Sequence, residues 1–238
     1  MTGKNGNKHQ NKEWTACHKN RKKKNMPSAV KNISRADMPC GVFQPERTIH
    51  MIYFLTSNDG KFREVRNALS LIGINVENIN APHPEIQSDS LEDVVQFKGE
   101  WARKVFPDRA ILTDDSALFI DALNGFPGVY SSHAFRTIGC SGIIDLMRNK
   151  TDRSARFVCA FSLFVPDLTE PIIVKGVSEG YITKTCRGQG GFGFDPIFMP
   201  TGCSATFAEM SISQKNMHSH RGKALRKLVS TIKKMHLF

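Results

Sequence analysis

The sequence predicts an α/β fold: a mixed central β-sheet flanked by helices. Two observations carry that expectation. From residue 49 to about residue 113, short apolar runs bounded by turns alternate with helical stripes. Further on, two long apolar stretches, Ala155 to Val165 and Ile172 to Ile182, follow each other without a helical stripe between them, as an antiparallel pair of strands does.

Each element has its own signal. Ile49 to Leu55 is an apolar run closed by a turn, which suits a buried strand. Lys61 to Ile72 places Phe62, Val65, Leu69 and Ile72 on one helical stripe, ended by Gly73. Ile74 to Ile79 reads as a short strand, the proline-rich Ala81 to Ser88 as a loop, and Leu91 to Val105 as a second helix. Ala110 to Thr113 is a strand expected to deliver Asp114 and Asp115 at its C-terminal end. Ile138 to Met147 reads as helical, and the chain closes with a helix from about His220 to Lys234. No internal repeat is found.

Composition separates the chain into two parts. Of 238 residues, 40% are hydrophobic, enough for a buried core, and the formal net charge is +11. The charge is uneven: the stretch before Ile49 holds eleven Lys or Arg against three acidic residues. Residues 1–47 are rich in Lys, Asn, His and Gly, lack periodicity, and are expected to form a disordered basic extension. Residues 48–238 are expected to form the folded domain. The run Lys19 to Lys24 reads first as a solvated tail and second as a nuclear address or nucleic-acid contact. A transit peptide would be Arg-rich and amphipathic, which this segment is not. The six cysteines show no C-x-x-C pair and no zinc spacing, so reduced thiols in the cytoplasm or nucleus are the expectation. No apolar run reaches the ~20 residues of a membrane span, so no membrane partner is expected.

Four segments hold residues suited to chemistry. Thr56-Ser57-Asn58-Asp59-Gly60-Lys61 ends the first strand and opens the first helix, where free backbone N–H groups and the helix dipole favour a phosphate. Read alone, it is equally a helix cap with a surface lysine. Asp114, Asp115 and Ser116 lie where α/β sheets place ligands. Adjacent residues on an extended chain point to opposite sides, so one carboxylate would meet Mg²⁺ or activate water while the other steadies the turn. Glu85, in the loop before the second helix, is a further oxygen ligand candidate. In Gly190-Gly191-Phe192-Gly193-Phe194-Asp195, glycines allow close approach or positive φ. One phenylalanine there can stack on a base, and Asp195 can accept from ring N–H groups. The other ring is expected in the core. Ser219-His220-Arg221 puts positive charge at the unfavourable end of a helix dipole, a hint of an anionic or carbonyl partner.

Taken in order, these segments resemble the inosine triphosphate pyrophosphatase family from about Ile49 onward. The resemblance rests on T-x-N-x-x-K (Thr56, Asn58, Lys61), P-E-I-Q (Pro84 to Gln87), and D-D-S with A-L-N-G-F-P-G-x-Y (Asp114 to Tyr130). It continues through G-G-F-G-F-D-P-I-F and T-F-A-E-M-S-x-x-x-K-N-x-x-S-H-R (Thr206 to Arg221). It implies two lobes around a nucleotide cleft and Mg²⁺-dependent hydrolysis of ITP, dITP and XTP to monophosphate and pyrophosphate, by a homodimer. Thr56 to Lys61 would bind the triphosphate, with Lys98 on the second helix as a further phosphate ligand. Glu85 and Asp115 would hold the metal, with Asp115 also the general base and Ser116 beside it. Phe192, Gly193, Phe194, Asp195, Lys215, His220 and Arg221 would bind the nucleotide. The chain departs from the family pattern at Ala117, where Gly is usual, at Val94, where Asn is usual, and at Ser213-Gln214, where an acidic residue is usual. None of these removes a ligand. Two other readings stay open: a basic nucleic-acid-binding protein on a degenerate enzyme body, and a pyrophosphatase for modified pyrimidine nucleotides.

Overall fold

A computed structural model describes residues 49–166 and 168–237; the expected basic extension lies outside them. Strand β1 (Met51–Leu55) leads into helix α1 (Asp59–Ser70), whose first turn is capped by Asn58 Oδ1 accepting from Lys61 N at 3.0 Å. The cap moves the helix start two residues ahead of its apolar stripe. Strand β2 (Asn75–Ile79) and helix α2 (Leu91–Val105) follow at the expected places. α2 is capped by Ser90, with Glu92 and Asp93 in its first turn and Arg103 and Lys104 in its last, both matched to the helix dipole.

Strand β3 (Ile111–Ile120) corrects an expectation. It does not end at Thr113; it runs on through Asp114 and Asp115, because β5 (Ser154–Phe164) pairs with it antiparallel along its whole length. On its other edge β1 stops at Thr113, and the two-residue β4 (Pro127–Gly128) resumes only at Leu118. The carboxylates therefore lie in mid-strand, at a gap where one edge of the sheet is open. That is the position beyond the carboxyl end of β1 that α/β proteins use for ligands.

Helices α3 (Ser131–Thr137) and α4 (Gly139–Leu146) succeed β4; only the second was expected. β5 and β6 (Ile172–Ile182) form the expected antiparallel pair. Short β7 (Phe198–Pro200) and helix α5 (Ile212–His218) had no periodic signal long enough to read. Helix α6 (His220–Lys234) closes the fold within the expected limits. The sheet order is β2-β1-β3-β5-β6-β7, with β4 beside β3, a mixed sheet as expected.

The apolar clusters lie at opposite ends of the long strands. α1 and α6 cover Ile52, Phe54, Leu112, Phe161 and Leu163. α3, α4 and the segment around β7 cover Leu118, Ile120, Phe157 and Ile182. α2 packs on the same strands through Leu91 and Val95, against Ala117, Val158 and Ala160. Asp114 to Ser116 sit on β3 between the two end clusters.

Candidate active site

Strand alternation sends Asp114 and Asp115 to opposite faces of β3. Asp114 is buried; its Oδ1 accepts from Lys61 Nζ at 3.1 Å, and its Oδ2 accepts from Arg221 Nε at 3.3 Å and Nη2 at 3.2 Å. Burial pushes its carboxyl up, but Lys61 and Arg221 hold it below the usual range. Asp114 therefore steadies no turn, as the sequence had suggested for one of the pair. It joins two cations instead. Asp115 is 3.9 Å from Lys61 Nζ and keeps part of its side chain open. Burial, with the negative charge of Asp114, raises its carboxyl against the pull of Lys61.

Asp115 opens on a cleft of about 380 Å³, with Lys98 beside it and Glu85 in the loop that forms one wall. Burial lowers the Lys98 ammonium, Lys61 adding to the effect against the opposing carboxylates. The Glu85 side chain is 85% exposed. Ser132, His133 and Arg136 of α3 line the same cleft. Sequence reasoning missed His133 and Arg136, because α3 itself gave no readable stripe.

From Lys61 a buried file of alternating charge runs under the sheet edge. Lys61 meets Asp114, Asp114 meets Arg221, and Arg221 Nη1 donates to Glu64 Oε2 at 2.5 Å. Glu64 Oε1 lies 2.6 Å from Lys215 Nζ, which reaches Asp195 Oδ2 at 2.5 Å. Glu64 was not anticipated; its one signal is its place beside Val65 on the apolar stripe of α1. Burial would raise its carboxyl, yet Arg221 and Lys215 keep it lowered. Arg221 thus finds partners for its charge inside the chain, which accounts for a basic residue in the first turn of α6. Its Nη2 also donates to Ser116 Oγ at 3.0 Å.

At the far end of this file stands the glycine-rich loop. Gly191 and Gly193 take φ of +70° and +60°, as a glycine there allows. Phe192 N donates to Asp195 Oδ2 at 2.8 Å. Burial raises the Asp195 carboxyl although Lys215 opposes the shift. The Phe192 ring stays partly open, with Lys215 Nζ 4.4 Å and Arg221 Cζ 5.5 Å from its centre. It also lies over Gly60, where a Cβ would come within 2.4 Å of the ring. Phe194 is the core phenylalanine, buried edge-on against Phe135 at 5.4 Å. Thr56 Oγ1 accepts from Asn58 N at 3.1 Å. With Lys61 N taken by Asn58, the N–H groups of Asp59 and Gly60 are those of the first turn that no helical carbonyl can reach. Ser57 is exposed beside them.

His220 stands apart from the cleft. Its ring stacks on Phe157 with centres 4.6 Å apart, and its buried Nδ1 has no hydrogen-bond partner among the described residues. Burial, together with Arg221 and Lys215, depresses its pKa well below the ordinary histidine value. The unfolded chain then binds a proton that the folded one refuses, so stability falls as pH drops below about 6.5. His220→Phe keeps a ring on Phe157 and is expected to flatten that acid slope in thermal melts. An unchanged slope would assign the acid sensitivity to other groups.

Comparison with known proteins matches this arrangement to one family. The sequence pattern of the Ham1 family covers residues 52–231. The dITP/XTP pyrophosphatase of Pyrococcus horikoshii is 46% identical over 182 residues, spanning 76% of this chain and 96% of that protein. The dITP/XTP pyrophosphatase of Ignicoccus hospitalis is 47% identical over 177 residues, spanning 74% and 94%. Among solved structures, the Coxiella burnetii HAM1 protein aligns with a TM-score of 0.67 and 30% identity, over 77% of this chain and 98% of that one. The Staphylococcus aureus Ham1 protein gives 0.66 and 29%, over 78% and 99%.

Proposed function

This chain belongs to the Ham1 family, and on that premise we propose that it hydrolyses non-standard purine nucleoside triphosphates, ITP, dITP and XTP, to the monophosphate and pyrophosphate. The observation that carries the reading is the raised Asp115 carboxyl, opening on the cleft that holds Lys98 and Glu85. A carboxyl moved toward neutral pH is suited to taking a proton from water.

Glu85 and Asp115 fit Mg²⁺, which is held by one or two carboxylates and completes its shell with substrate phosphates and water. Among the described residues no group of three His, Cys, Asp or Glu side chains gathers as a fully protein-held site would need. When bound, Mg²⁺ neutralises phosphate charge and makes the α-phosphorus easier to attack. The remaining work belongs to the chain. Thr56 to Lys61 and Lys98 hold the triphosphate, with Ser116 beside it, and Asp115 accepts the proton of the attacking water. Phe192 stacks on the base, while Gly193 and Asp195 shape its edge with Lys215 and Arg221 beneath; Phe194 anchors the loop in the core. His220 precedes Arg221 at the start of α6 and stacks on Phe157 in the core.

Residues 48–238 form the catalytic unit in this reading, with residues 1–47 an added basic extension. We place the enzyme in the cytoplasm as a homodimer. Exposed Phe126, Tyr130, Phe135 and Ile138 offer apolar surface of the kind a partner copy covers. Among the described residues, no helix is long and apolar enough to cross a membrane.

The direct test incubates the protein and Mg²⁺ with ITP, XTP, dITP, ATP and GTP and identifies the products. Pyrophosphate and a monophosphate from the first three are expected; orthophosphate and a diphosphate would overturn the reading. Arg136, which shares the cleft with Lys98, is suited to the leaving pyrophosphate. Arg136→Ala is expected to raise KM for ITP about tenfold, the scale of one lost charged hydrogen bond. An unchanged KM would remove Arg136 from the site.

A further inference from the structure

Two thiols far apart in sequence meet beside the loop that carries Phe192 and Asp195. Cys140 lies in the first turn of α4, and Cys186 in the segment that follows β6. The Cys186 side chain lies close enough to that of Cys140 to act on its thiol. Cys140 Sγ also donates to Gly193 O at 3.5 Å. Both thiols are free; Cys186 is exposed and Cys140 half-buried.

We propose that Cys140 and Cys186 form a reversible disulfide, made by a hydroperoxide, that weakens nucleotide binding by the Gly190–Asp195 loop. The backbone at Cys186 is held in place by its neighbour. Arg187 N donates to Pro196 O at 2.9 Å, and its guanidinium reaches Ser204 O at 2.7 Å and Glu209 at 3.0 Å. The thiols are therefore presented to each other by fixed segments. In the loop itself the anchoring bonds are few. Gly190 N donates to Ala208 O at 3.0 Å, Phe192 N and Lys215 Nζ to the Asp195 carboxylate, and Asp195 N to Phe192 O at 3.3 Å; at Gly193 the Cys140 thiol supplies the bond to the carbonyl.

The chemistry proceeds in two balanced steps. The exposed Cys186 thiol is oxidised to a sulfenic acid while the hydroperoxide is reduced, its O–O bond breaking and an alcohol or water leaving. Cys140 Sγ then attacks Cys186 Sγ. The S–S bond forms, the S–O bond breaks, and the hydroxyl departs as water with the Cys140 proton. Exposure sets the order. Burial, with Cys186 and Asp195 nearby, pushes the Cys140 thiol up to about 12, so in the reduced protein it stays protonated and keeps its bond to Gly193. Once oxidised, that sulfur carries no proton, so Gly193 O loses its donor and α4 is tied to the loop. Compartments that keep thiols reduced use such pairs transiently, for sensing.

The effect on turnover rests on the reading of this loop as the base-binding segment; the linkage does not. The full chain is treated with hydrogen peroxide, digested and analysed by mass spectrometry, and its KM for ITP is measured in parallel. A peptide joining Cys140 to Cys186 is expected, with KM raised about tenfold, as for one lost loop bond, and restored by dithiothreitol. Cys186→Ser, a change at an exposed position, should keep the reduced KM in peroxide. Absence of the joined peptide, a joined peptide without a change in KM, or an equal rise in Cys186→Ser would each overturn the proposal. Reduced wild-type protein that turns over no ITP would instead defeat the functional reading, and the peptide would still decide the linkage.

Discussion

Asp115→Asn is expected to lower ITP turnover by about 10³-fold or more while leaving the fold intact. The substitution keeps the shape of the side chain but removes both the proton acceptor and one of two metal carboxylates, and general-base loss alone spans about 10²–10⁴. Stability should move the other way. Burial disfavours the charged carboxyl, so the folded state holds its proton to higher pH than the unfolded chain does. The wild type therefore loses stability as pH rises from the ordinary aspartate range through the raised value, and the Asn variant does not. Thermal melts at neutral pH should show the variant at least as stable as the wild type. Near-normal turnover at saturating Mg²⁺ would remove Asp115 from the mechanism.

Arg221→Ala is expected to lower stability by about 3–5 kcal/mol, the scale for breaking a buried ion pair by removing one partner. Glu64 and Asp114 would keep their burial and lose their shared cation. Four of the five guanidinium N–H groups go to Asp114, Glu64 and Ser116, which leaves one for a base carbonyl. Hypoxanthine and xanthine present a 6-carbonyl and a protonated N1, whereas adenine presents a 6-amino group and a bare N1. A polar mismatch of that kind can discriminate about 10⁴-fold. Loss of Arg221 should thus reduce ITP hydrolysis more than ATP hydrolysis in whatever fraction remains folded. Denaturant melts measure the first effect and the ITP-to-ATP ratio the second. A fully stable variant would contradict the buried charge file, and an unchanged ratio would limit Arg221 to structure.

Local pattern was enough for much of the fold. The stripe through Phe62, Val65 and Leu69, the run from Leu91 to Val105, and the two long strands β5 and β6 all carry periodicity that depends only on neighbours in sequence. α3, α5, β4 and β7 have seven residues or fewer, too few for a period to be seen. The end of β3 was misplaced for a related reason. Asp114 and Asp115 read as a turn because charged residues seldom fill a strand, yet a partner strand more than forty positions away holds them there.

By itself the sequence determined the mixed α/β class, the order of the segments that could bind a nucleotide, and the family those segments resemble. Those properties are written in residue type and short spacing, and both survive without coordinates. Only the tertiary structure decided which carboxylate faces the cleft, that Glu64 joins Arg221 to Lys215, and that Cys140 meets Cys186. Each of these is a contact between segments remote in sequence, made when strand register and helix packing bring them together. A charge inside the protein takes its chemistry from such neighbours. Asp114 and Asp115 are identical and adjacent, and burial among different partners shifts their carboxyls in opposite directions.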